Sequence, residues 1–241
     1  MLLENERLDD LEYDGLAVIQ HPDGYCFTSD SVLLANLAEV KYSDRVAEIG
    51  AGCGVVSLLI GKKFSPEKIF AVEIQPRLAD MAKRSVEYNG LSDKIEIVNA
   101  PAQGIEKVLG RDFDVVVTNP PYEEITAKKD FYDEKEICKT EAKLTTVEAV
   151  EIGAALLRYG GKFFMVNRAR RLADVLCAMR ANGVEPKKLY LVQPKRSKAV
   201  DTFIVEGKKG AKPALLVPKP IVVYEEDGEM TPEAKKIYNK Q

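Results

Sequence analysis

Tryptophan is absent from the 241 residues, histidine occurs once, at His21, and the four cysteines stand far apart. A single imidazole leaves no histidine pair to bind zinc or relay a proton. Cys26, Cys53, Cys138 and Cys177 show no Cys-x-x-Cys spacing, so the sequence predicts no metal site. The thiols read as reduced and structural, which points to a cytoplasmic chain, with Cys53 a small filler in a glycine turn. No apolar run is long enough to span a bilayer, and the acidic first residues do not read as a signal peptide. What is present is a 46% hydrophobic composition, enough at this length for one α/β domain with a sizeable core. Composition leaves the oligomeric state open, with a monomer the plainer expectation.

Net charge is only −3, but the average hides an asymmetry. Residues 1–122 carry 12 Lys+Arg against 20 Asp+Glu, whereas residues 158–219 carry 15 against 4. Arg168, Arg170, Arg171, Lys187, Lys188, Lys195, Arg196, Lys198, Lys208, Lys209 and Lys212 all fall in that stretch. Cations so concentrated predict phosphate contacts, hence an RNA partner along Arg158–Lys219, although charge runs are commonly just a solvated face. Aromatics within it are sparse (Tyr190, Phe203), which favours grip on the backbone over base stacking.

Two motifs carry chemistry. In the first, the strand-like Val46-Ala47-Glu48-Ile49 runs into Gly50-Ala51-Gly52-Cys53-Gly54 and then an apolar, helix-compatible segment. Its Gly-x-Gly-x-Gly spacing differs from the Gly-x-Gly-x-x-Gly of dinucleotide folds. Glu48 would repel a pyrophosphate but suits a ligand bearing an ammonium and a sulfonium, as S-adenosylmethionine does. Glu73 ends the next strand about twenty residues on, where ribose hydroxyls are read in folds of this kind. The second motif, Asn119-Pro120-Pro121-Tyr122, closes the strand Phe113–Thr118. Two prolines force the chain out of the sheet, leaving an amide, a carbonyl and a ring that suit a planar –NH2 group.

Together these segments resemble class I S-adenosylmethionine-dependent methyltransferases that modify exocyclic or amide nitrogens. With Gly24–Ala35 and the tail Lys219–Tyr224, Gly228, Thr231 and Ile237-Tyr238, the chain resembles the bacterial enzymes that methylate adenine N6 in a valine tRNA. The resemblance implies a mostly parallel, seven-stranded, doubly wound sheet with a short N-terminal hairpin. It implies that Asn119, Pro120, Pro121 and Tyr122 are catalytic. It further implies that Phe27, Thr28, Ser29, Asp30, Glu48, Gly50, Gly52, Gly54, Glu73, Ile74, Ala102 and Asn119 border S-adenosylmethionine, with Thr28–Asp30 near its methionine end. One departure is the run Ile95–Gln103, which lacks the Asp that relatives hold against the adenine. Recognition there then falls to a backbone group, Asn99 or Gln103. The loop Glu123–Asp130 offers little aromatic surface to a base. The same tetrapeptide also resembles that of enzymes acting on a release-factor glutamine or on guanine N2 of rRNA. A non-catalytic RNA-binding module on the same scaffold is the reading from another class.

Periodicity predicts a hairpin of Leu16–Ile19 with Tyr25–Phe27, then a helix from near Asp30. Strands are expected near 45–49, 69–74, 94–98, 113–118 and 162–166, with a final pair at 189–192 and 202–205, the last antiparallel. Helices are expected near 54–63, 76–89, 103–109 and 171–182. Another runs from a Thr145–Glu148 capping box to about Leu157, where Gly160-Gly161 stops it. The expected division is a hairpin and helix over the cofactor (1–43), the methyltransferase domain that the resemblance implies (44–208), and a connector with a polar tail packed on that domain (209–241).

Overall fold

In the computed structural model, which describes residues 2–24, 26–123 and 132–240, strand and helix alternate through most of the chain. Two short strands, β1 (Arg7–Asp10) and β2 (Ala17–Gln20), precede helix α1 (Ser29–Leu37). The centre runs β3 (Arg45–Ile49), α2 (Val55–Phe64), β4 (Lys68–Glu73), α3 (Pro76–Tyr88), β5 (Ile95–Asn99), α4 (Glu106–Leu109) and β6 (Phe113–Thr118). Next come α5 (Glu134–Lys139), α6 (Thr146–Leu156), β7 (Leu157–Arg168), a 3-10 turn (Ala169–Arg171), α7 (Leu172–Ala181), β8 (Val184–Gln193) and β9 (Thr202–Lys209). The end of the chain supplies β10 (Ile221–Val222) and α8 (Pro232–Ile237).

The main sheet has the order β10-β8-β9-β7-β6-β3-β4-β5. It is parallel except at β9, which runs antiparallel to both β7 and β8. Strand order reverses at β3, between β4 and β6, and a crevice opens there at the carboxyl ends of the strands. Side-chain alternation sorts the core onto the two faces. Val115, Val117, Phe164 and Val166 pack with α1 and α2, whereas Val116, Phe163 and Met165 pack with α6 and α7. Phe163 and Phe164 are fully buried, and burial of such a side chain contributes about 1.5–3 kcal/mol.

Three expectations need correction. The hairpin pairs β2 with Arg7–Asp10, not with Cys26–Phe27, which lies outside any strand; Tyr25 is outside the described residues. Its register-setting contacts go to α3, where the Ile19 and Ala17 amides donate to Ser85 Oγ and Asn89 Oδ1. The sheet has eight strands, because Ile221–Val222 adds a parallel pair beside β8. Beyond Glu225 the chain forms α8, which starts at a Thr231 cap, with Ala234 and Tyr238 buried against the core. Finally, α6 ends at Leu156 and Gly160-Gly161 lie inside β7. A Cβ on Gly161 would meet the Phe113 carbonyl at 2.9 Å, so glycine serves close strand approach there, not helix termination.

Candidate active site

The turn after β3 is shaped by glycine. Gly50 and Gly52 have φ of +73° and +56°, and a Cβ at either would point into open space. Gly54, by contrast, turns toward α3, where a Cβ would sit 3.2 Å from that of Ala82, so its role is helix packing. Beside this turn lies a cleft with about 810 Å³ of empty space, lined among others by Glu48, Gly50, Gly52, Glu73, Ile74, Ala102 and Asn119. Phe27 and Ser31 reach it from the N-terminal side, and Ile137, Cys138 and Leu144 from beyond β6.

Both acids of this cleft are buried. Glu73 accepts from the amides of Gly52 and Gln75, each at 2.8 Å, and so ties the glycine turn to the end of β4. Burial nevertheless raises its pKa, outweighing those amides. Glu48 is fully enclosed and accepts from the backbone and hydroxyl of Ser57. Burial pushes it up to about 8. Of the two side chains expected at an adenine ring, Asn99 is exposed and donates to the carbonyls of Glu73 and Ile74, outside the cleft. Gln103 lines the cleft, with its Nε2 on the Lys143 carbonyl.

A second cleft, with about 1030 Å³ of empty space, adjoins the first; Thr28, Asn119, Pro120, Tyr122, Lys139, Arg168 and Arg170 line it. Asn119 and Cys138 belong to both clefts. The Asn119 amide nitrogen donates to Ser31 Oγ at 3.0 Å. Its carbonyl oxygen is buried with no hydrogen-bond partner among the described residues, as is Thr28 Oγ1. Tyr122 donates from its hydroxyl to Asp30 at 3.3 Å and accepts there from Arg168 at 2.9 Å. The Arg168 guanidinium also lies 4.6 Å from the ring centroid, which leaves only the opposite face for a stacked base.

The N-terminal expectations therefore divide. Phe27 lines the first cleft and Thr28 the second, while Asp30 lines neither and is spent on Tyr122 and Arg168. Burial raises the Asp30 pKa, opposed by the Arg168 charge and the Tyr122 hydroxyl. Ser29 is exposed and lines neither cleft. The basic segment also divides. Arg168 pairs with Asp30 and Asp201, Arg171 with Glu141 and Asp174, Lys162 and Lys188 with Glu39 and Glu206, and Arg158 with Asp114. Arg170, Arg196 and Lys198 are exposed. Most of the loop Glu123–Asp130 lies outside the described residues.

Sequence reasoning missed Ser31, Arg168 as the partner of Tyr122, and the α5 wall. The Asp133–Glu136 capping box was a readable signal for α5. Among the described residues no cluster of three potential metal ligands occurs, and no helix is long and apolar enough to cross a membrane.

Comparison with known proteins decides the family. The model of the methyltransferase small domain matches residues 27–179. The chain belongs to that family. Among its relatives is a tRNA1(Val) (adenine(37)-N6)-methyltransferase of Dyadobacter fermentans, 29% identical over 203 residues, covering 83% of this chain and 82% of that protein. A Haemophilus influenzae protein of the same name is 24% identical, with 84% and 85% covered. A candidate protein N5-glutamine methyltransferase of Methanocaldococcus jannaschii is 37% identical over a shorter stretch, 46% of this chain and 54% of that one. In fold, the methyltransferase is similar to a predicted O-methyltransferase from Agrobacterium tumefaciens, with TM-score 0.71, 20% identity, and 87% and 95% of the two chains covered. It is similar also to M. jannaschii TYW2 solved with AdoMet, with TM-score 0.59, 14% identity, and 86% and 87% covered.

Proposed function

We propose that this enzyme transfers the methyl group of S-adenosylmethionine to the N6 amine of an adenosine in tRNA. The observation that carries the reading is the Asn119 carbonyl oxygen, buried and unpartnered among the described residues, on a side chain that borders both clefts. A buried acceptor left empty costs about 1–3 kcal/mol, which an N–H of the acceptor group removes on binding.

The first cleft fits the cofactor. Its glycine turn leaves open space where side chains would stand, and its two buried acids suit hydroxyls and an ammonium. Glu73 would take the ribose hydroxyls, Glu48 and the Gly50–Gly52 turn the methionine portion, and Ile74, Ala102 and Leu144 the adenine ring. When bound, the cofactor supplies an electrophilic methyl on a sulfonium. An adenine N6 amine is a poor nucleophile, because its lone pair is delocalised into the ring. Asn119 Oδ1 and the Pro120 carbonyl would accept its two N–H groups, drawing the nitrogen toward tetrahedral geometry and freeing the lone pair. Pro121 stiffens the turn by fixing φ. Alignment of this kind can contribute roughly 7–11 kcal/mol in favourable systems, so the single histidine of the chain has no part to play.

Two observations support tRNA: the D. fermentans and H. influenzae relatives match over most of their length, and Arg170 and Lys139 stand at the mouth of the second cleft. Arg196 and Lys198 extend the exposed basic surface on the loop after β8. A glutamine amide has the same planar –NH2 shape, and the M. jannaschii relative favours that second reading. Incubating the purified chain with methyl-labelled cofactor and either unmodified tRNA or a release factor separates them. Label in the RNA supports the proposal, and label confined to the protein overturns it.

A further inference from the structure

Arg168 stood out in the sequence as one of a row of cations available for RNA phosphates. The structure gives it other work. One guanidinium nitrogen donates to the Tyr122 hydroxyl at 2.9 Å and meets Asp30 at 3.2 Å. The other donates to Asp201 at 2.8 Å and to Thr202 Oγ1 at 2.7 Å. Arginine can only donate, so the Tyr122 hydroxyl proton is directed to Asp30, which is 8% exposed. The hydroxyl thus has one donor and one acceptor, each charged, in a site largely withdrawn from water. At the other end of the residue, Arg170 donates to the Tyr122 carbonyl at 3.1 Å. The hydrogen bonds from α1 and β7 hold the hydroxyl end of the side chain in place, and the guanidinium 4.6 Å from the ring centroid restricts rotation of the ring plane.

We propose that Arg168, with Asp30, is a positioning residue that fixes the ring plane of Tyr122 beside the acceptor nitrogen, and that it does not contact the RNA. The inference rests on the function proposed above. It commits the exposed face of the Tyr122 ring to the substrate and the covered face to the guanidinium. It also explains why a cation is tolerated beside a cleft that must admit an uncharged amine: Asp30 and Asp201 compensate the charge on the spot. Misplacement of a substrate-positioning group by about 1 Å can cost roughly a hundredfold in rate. Loosening the ring is therefore expected to act on turnover.

The test compares Arg168→Ala, Arg168→Lys and Tyr122→Phe, singly and with Arg168→Ala combined with Tyr122→Phe. Arg168→Ala should lower kcat by about tenfold to a hundredfold. Cofactor affinity and the slope of log tRNA affinity against log salt should stay as in the wild type. Arg168→Lys should recover part of the rate, and the double variant should fall no further than Arg168→Ala. A readout independent of activity accompanies these. With ring-labelled tyrosine, the Tyr122 NMR signal should shift and its ring flip quicken in Arg168→Ala, while Tyr159, exposed on β7, stays unchanged. Retained kcat with a slope flattened by roughly 0.7–0.9 would make Arg168 a phosphate contact and overturn the proposal. An unaltered Tyr122 ring, or additive losses in the double variant, would overturn it as well. Absence of methyl transfer by the unaltered chain to tRNA and to protein alike is the failure of the proposed function, and the tyrosine signals then still decide the role of Arg168.

Discussion

In the first cleft both acids are already in use: Glu73 holds two backbone amides and Glu48 holds Ser57. The second cleft is bordered instead by two oxygens, Thr28 Oγ1 and Asn119 Oδ1, that are buried and unpartnered among the described residues. The first cleft is acidic and built from the glycine turn and strand ends. The second is bordered by Lys139, Arg168 and Arg170 and built from the tetrapeptide turn. The contrast teaches how one scaffold can handle two ligands. On the function proposed above, a cofactor used for every turnover meets a cleft whose acids are held by backbone amides. On the same proposal, the acceptor meets two oxygens left without partners among the described residues.

Asn119→Ala should break this arrangement most severely. Removing one preorganised polar contact at a reacting centre typically costs about 10²–10³ in kcat. Cofactor affinity should hardly change, since the lost oxygen serves the acceptor. Single-turnover rates beside calorimetric titration of S-adenosylmethionine check the split, and near-wild-type turnover would return the tetrapeptide to an ordinary strand exit. Glu73→Ala should give the mirror image. Charge-assisted bonds to hydroxyls contribute roughly 1.5–3 kcal/mol each, so cofactor affinity should weaken by at least about tenfold. Turnover at saturating cofactor should hold far better, and an unchanged dissociation constant would reopen where the ribose lies.

How far the sequence foretold this contrast depends on the range of the interactions. The glycine turn, Glu48, Glu73 and the tetrapeptide are local patterns on strand ends, and β3, β4, β6 and β7 announce themselves as near-continuous apolar runs because both sheet faces are buried. The hairpin partner was missed because Arg7-Leu8-Asp9-Asp10 is mostly charged and exposed, a pattern that carries no strand periodicity. Ile221–Val222 is too short to announce itself and becomes a strand only because β8 offers an edge. The pairing of Arg168 was not legible for a related reason. A cation's partners Asp30 and Asp201 come from distant parts of the chain, and composition cannot tell a paired charge from a solvated one.

The acidic cleft makes a smaller, pH-dependent prediction. Burial raises the Glu48 pKa from 4.5 to about 8, so the folded chain holds a proton there that the unfolded chain releases. The native state binds more protons between those values, and the Glu48 contribution to stability must fall as pH rises from about 5 to about 8. Glu48→Gln removes that contribution, and its melting temperature should decline less over the same interval. A parallel decline in both proteins would mean that Glu48 is ionised when buried. The smallest effect belongs to the exposed cations. Arg196→Ala and Lys198→Ala should each flatten the salt slope of tRNA binding by roughly 0.7–0.9, with kcat and cofactor affinity unchanged. Equal slopes would make that loop a solvated face and move the glutamine reading ahead.

The chemistry at Asn119 is tested most directly by identifying the product. Unmodified tRNA is incubated with the purified chain and S-adenosylmethionine, digested to nucleosides and analysed by mass spectrometry, with Asn119→Ala in parallel. The account predicts N6-methyladenosine from the wild-type chain and almost none from the variant. Methylation of guanine N2, or an equal yield of N6-methyladenosine from both proteins, would contradict it.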